Sequence, residues 1–155
     1  MTLCVFSLIL IFMLFFLSCT STPVTPHNML VQVAQDLSLP APELLDPSMS
    51  VITFSDQRTL SLQRRYDDLE IRFYSGLSLE QAPTVQAASL AMHQIPIINY
   101  ELAVSKVLVN PENAHIIFAH VLHAENMTMP ILQERIAQVL KEEKSVHDQL
   151  KAALQ

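Results

Sequence analysis

The residue types needed for metal binding or acid–base chemistry gather in two stretches of this 155-residue chain. The first holds His115, His120 and His123, followed by Glu125. On a strand, residues 115 and 123 share a face while 120 points to the other, so the three cannot converge. Zinc wants a tetrahedral set at about 2.0–2.1 Å, which this spacing does not offer, and no metal site is expected. The second stretch is Asp67, Asp68 and Glu70. It reads as a charged turn, because no buried partner is visible to raise one carboxyl pKa for proton transfer. His147 precedes Asp148, and neighbouring helix positions do not face one another. Gly76 is the only glycine, which excludes phosphate-cradling loops and a G-x-S-x-G elbow. Cys4 and Cys19 both lie near the N-terminus, so the body holds no disulfide framework and no cysteine zinc site. With 15 acidic against 9 basic side chains the net charge is −6, and Arg64-Arg65 is too small a patch to grip nucleic acid. These exclusions point to a non-catalytic binding protein without a cofactor.

Charge divides the chain. Met1–Gln35 contains no Asp, Glu, Lys or Arg, and Leu3–Leu17 is apolar apart from Ser7. Fifteen residues fall short of the about 20 that span a hydrocarbon core. Two readings compete with a membrane anchor. Ser18-Cys19-Thr20-Ser21 hints at a lipoprotein signal acylated at Cys19, although no Lys or Arg opens the n-region. Alternatively, translation starts at Met29 and the upstream residues are not made. Residues 1–28 are therefore set apart as a signal-like segment and linker, and 29–155 as a single domain.

The elements that position the rest follow from periodicity. Asn28 is a plausible N-cap for a helix to about Leu37, with Leu30, Val33, Ala34 and Leu37 on one face. Leu39-Pro40-Ala41-Pro42 ends it. The period then becomes two. Val51–Phe54, Leu60–Arg65 and Leu69–Gly76 read as a three-stranded antiparallel meander. A helix is expected over Thr84–His93, kinked or ended by Pro96, with Ile97–Leu102 ambiguous. Val104–Val109 and His115–Leu122 flank the turn Asn110-Pro111-Glu112-Asn113 and should pair as a hairpin. A long last helix begins after Thr128, with Leu132, Ile136, Val139, Val146, Leu150 and Ala153 on its apolar stripe. Lys141, Glu142, Glu143 and Lys144 are expected on its wet side. Met92, Met127 and Met129 could line an adaptable surface or fill core gaps. The result is an α+β domain, helices packed on an antiparallel sheet in the order αβββαββα.

That order, the acidity and the missing catalytic motif resemble the class I type III secretion chaperones, the Tir-chaperone family. Leu30-Val31-Gln32-Val33-Ala34-Gln35-Asp36-Leu37-Ser38-Leu39-Pro40 is similar to the family's opening helix. Asn99-Tyr100-Glu101-Leu102-Ala103, the hairpin with Ile116-Ile117-Phe118 and the long last helix are similar to its second half. The bacterial YbjN-like proteins share a related fold. The resemblance implies a bacterial, cytoplasmic homodimer that holds the unfolded N-terminal segment of a secreted effector for type III secretion. It further implies client-binding residues at Leu30, Val33, Leu37, Val51 and Phe54, and a dimer interface around Ile97, Ile98 and Tyr100. The alternative is an envelope lipoprotein, anchored through Cys19 and facing the periplasm, whose small domain assists a secretion or envelope assembly.

Overall fold

The computed structural model describes residues 25–155. Residues 1–24, including Cys19 and the apolar run, lie outside the described residues. Helix α1 (Pro26–Asp36) is followed by β1 (Glu43–Asp46), β2 (Met49–Thr53), β3 (Thr59–Arg65) and β4 (Asp68–Ser78). Helix α2 (Val85–Glu101), the hairpin β5 (Lys106–Val109) and β6 (His115–His123), and helix α3 (Met129–Ala153) complete the chain. The six strands form one antiparallel sheet in the order β1-β2-β3-β4-β6-β5.

The pleat sorts the side chains. Ile52, Leu60, Phe73, Phe118 and Val107 form one row across β2, β3, β4, β6 and β5. All five are buried, and α1 and α3 cover this face of the sheet. The row of Val51, Ser61, Arg72, Ala119 and Lys106 lies on the opposite face. There Glu70 bridges Arg65 and Arg72 at 3.1 and 2.9 Å.

Several local expectations change. The first helix is capped by Thr25, whose hydroxyl accepts from Asn28 N–H at 3.2 Å, and Pro26 occupies its first turn. His27 Nδ1 lies 3.0 Å from Ser50 Oγ. A domain boundary between residues 28 and 29 therefore cuts α1. Strand β1 is an addition to the expected meander. Strand β4 runs past Gly76, whose φ of +75° accommodates the register shift between Tyr74 and Ser78. Pro96 does not end α2, because it sits on the exposed side, where the Met92 carbonyl it deprives of a partner can meet water. Val33, Leu30, Leu132, Ile136, Val139 and Leu150 are buried as their stripes require.

Candidate functional site

Helix α2 is the least covered of the three helices. From Val85 to Tyr100 it has no Asp, Glu, Lys or Arg, yet only Ala91, Ile95 and Ile98 are buried. Its outward side carries Leu90, Met92, Ile97 (52 % exposed) and Tyr100 (93 % exposed). A surface helix normally sets charge opposite its core stripe, so an uncharged, apolar outer face is one that suits a partner. Of the three residues expected in a dimer interface, Ile97 and Tyr100 lie on this face. Ile98 does not. It is fully buried in the chain's own core, one helix step of about 100° away.

The residues expected to hold a client are not brought together either. Leu30 and Val33 are fully buried between α1 and the sheet, so they anchor the helix and offer no outward surface. Leu37 and Phe54 are half-buried at the border of the same core, Phe54 packing edge-on to Phe73 at 5.7 Å. Val51 belongs to the opposite face of the sheet. Sequence reading passed over strand β1, the terminal strand of the sheet. None of its four residues is buried, and Leu44 and Leu45 are 56 % and 58 % exposed. Such a strand, which among the described residues has a neighbour on one side only, is a template for an extended polypeptide. The adjacent leucines Leu44-Leu45 were the available signal, obscured because acids flank them and no alternation marks the segment.

Two buried carboxylates were expected on the wet side of α3. Glu142 is 5 % exposed and Glu143 1 %. Glu142 accepts from the backbone N–H groups of Ala103, Val104 and Ser105 at 3.1, 3.0 and 2.8 Å, from Ser105 Oγ at 2.5 Å and from Gln138 at 3.1 Å. Burial alone would raise its pKa, but these hydrogen bonds, led by Ser105, outweigh burial and hold it below the ordinary glutamate range. His120 closes the same corner by donating from Nδ1 to Val104 O at 2.9 Å, and burial pushes its imidazole pKa down. Glu143 accepts from Arg58 at 2.8 Å and lies 2.9 Å from His147 Nδ1. The carboxylates thus fasten α3 to the α2–β5 corner and to the β2–β3 turn.

His115, His120 and His123 do not converge. His120 is bound to Val104 O, and His123 sits on Asp68 at 2.9 Å. Among the described residues no group of three His, Cys, Asp or Glu side chains is placed to hold a metal ion.

No protein-family model and no curated protein matches the sequence. Solved structures do. A chain of the ExsC–ExsE complex superposes with a TM-score of 0.55 at 15 % identity, covering 80 % of this chain and 92 % of its own. A chain of the HopA1–SchA chaperone–effector complex gives 0.50 at 14 %, over 76 % and 89 %. The fold is that of the class I secretion chaperones. At these identities the likeness is one of fold. An uncharacterized protein from Methanothermobacter thermautotrophicus also shares this chaperone-like fold, with a TM-score of 0.55 at 11 % identity over 84 % of this chain and 99 % of its own.

Proposed function

We propose that this chain is a non-catalytic secretion chaperone, a homodimer that keeps an unfolded N-terminal segment of a secreted effector competent for type III secretion. The observation that carries the reading is the open edge of β1 with its exposed Leu44 and Leu45. A disordered segment loses ordering entropy on docking, and strand addition offsets it with a row of main-chain hydrogen bonds plus apolar contacts. The likeness to a chain of a chaperone–effector complex supports the same role. The uncharged face of α2, around Ile97 and Tyr100, is the proposed dimer contact. Leu37 and Phe54, at the border of the core, remain proposed client contacts.

The test is co-expression with an effector from the same genome that co-purifies with the chain, followed by limited proteolysis of the complex. The effector's N-terminal region should be protected. Leu44→Asp with Leu45→Asp should abolish co-purification while leaving the circular-dichroism melt unchanged, since both side chains are exposed. Full retention of the effector by that variant would remove β1 as the site. The proposed place of action is the cytoplasm. Among the described residues no helix is long and apolar enough to cross a membrane. Recovery of a Cys19-acylated chain in the membrane fraction would move it to the envelope.

A further inference from the structure

The two ends of the sheet are not equivalent. On an antiparallel edge strand every second residue turns its N–H and C=O away from the sheet. In β5 that row contains Val107, and both of its groups are taken by one side chain. Asn99 Oδ1 accepts from Val107 N–H at 2.6 Å, and Asn99 Nδ2 donates to Val107 O at 3.0 Å. This is the two-bond exchange that a residue of an added strand would make. Two positions earlier, Ser105 N–H donates to Glu142 at 2.8 Å, and Ala103 and Val104 N–H donate to the same carboxylate. Lys106 Nζ donates to Asn99 O at 2.8 Å, tying the last turn of α2 to the strand. Asparagine is a poor choice for a helix interior on propensity alone. Its amide is spent on the neighbouring edge. Strand β1 is paired along one side with β2, whose Ser50 Oγ also donates to Glu43 O at 2.9 Å, and among the described residues no strand pairs with its other side.

We propose that Asn99, positioned opposite Val107 and backed by Glu142, guards the β5 edge against an added strand, so that strand addition by a client is confined to β1. This deepens the chaperone reading and rests on it for the identity of the added strand. It assigns one strand-accepting edge to each protomer, and it leaves self-association to the outward face of α2. It also explains how the β5 end of the sheet avoids edge-to-edge stacking, since a covered or saturated edge offers no template.

The experiment compares the full chain with Asn99→Ala by hydrogen exchange and by light scattering across the micromolar range. Exchange of the Val107 amide should quicken by about tenfold or more, as expected when a hydrogen bond is removed. Asn99→Ala should form larger species than the parent chain as concentration rises. Adding Val109→Pro, which removes the next outward N–H without breaking the ladder to β6, should restore the parent's mass. Asn99→Asp, which keeps the acceptor but sets a carboxylate against Val107 O, gives the same reading if the alanine variant does not fold. Unchanged mass with a freely exchanging Val107 amide overturns the guard, and so does a Val107 amide that stays protected. A monomeric parent chain would overturn the proposed dimer alone, because the guard is read from the difference between parent and variant.

Discussion

A carboxylate withdrawn from water stays ionised only when enough donors replace its hydration shell. Glu142 meets that condition with three backbone N–H groups, the Ser105 hydroxyl and the Gln138 amide. Its folded pKa lies below that of the unfolded chain, where glutamate titrates near about 4.3. The stabilisation is therefore fully present above that pH and is lost as pH falls through the lower, folded value. Glu142→Gln sets an amide N–H₂ against donors and leaves one or more of them unsatisfied, costing about 1–3 kcal/mol at neutral pH. Urea midpoints measured from pH 7 down to pH 3, a range chosen to bracket about 4.3, should show a shallower acid decline for the variant than for the parent. Equal slopes would mean that Glu142 does not titrate with unfolding. The position of both glutamates was partly legible. Val139, Glu142 and Val146 follow helical spacing, so Glu142 falls in the gap of the apolar stripe. What the sequence could not show was the donor set, because the 103–105 corner reaches Glu142 only through the tertiary fold.

At the scale of elements, periodicity located the long helices and the paired strands, and it failed where a short segment depends on its neighbours. Strand β1 has four residues and no alternation to mark it, and it exists because β2 offers a partner. Helix α2 outlasts Pro96 because the deprived carbonyl is on the wet side. Helix α1 begins earlier than its apolar stripe, since Thr25, Pro26 and His27 supply the cap, the first turn and a contact to Ser50. These upstream residues have a measurable weight. A chain beginning at Met29 lacks the cap and should be less stable than one beginning at Thr25 by about 0.5–2 kcal/mol, the range found for helix N-caps. Paired denaturation curves of the two chains check this. Coincident curves would show that α1 is held by Leu30 and Val33 against the sheet without help from its first turn.

For the whole molecule, the sheet divides burial from display. One face and its helices consume most of the apolar side chains, while the exposed surplus is concentrated on α2 and β1, with Tyr66, Leu108 and Val121 exposed elsewhere. The sequence suggested edges and a greasy second helix, but it could not separate Ile97 from Ile98, which differ by one step around the helix. The fold separates them completely: Ile97 is half exposed, and Ile98 has no solvent contact. Aspartate at each position should therefore act on different scales. Ile98→Asp places a charge in the core and should cost more than about 4 kcal/mol, a magnitude reserved for such core disruptions, with loss of the native circular-dichroism spectrum. Ile97→Asp, alone or with Tyr100→Asp, should leave the thermal midpoint of the isolated protomer nearly unchanged, because surface substitutions usually stay within about 0.5 kcal/mol. Its effect should appear in light scattering, as a concentration-dependent shift from dimer mass to monomer mass. A dimer that survives both aspartates intact would place the contact elsewhere, and with it the reason for an uncharged helix face on a chain that otherwise carries a net charge of −6.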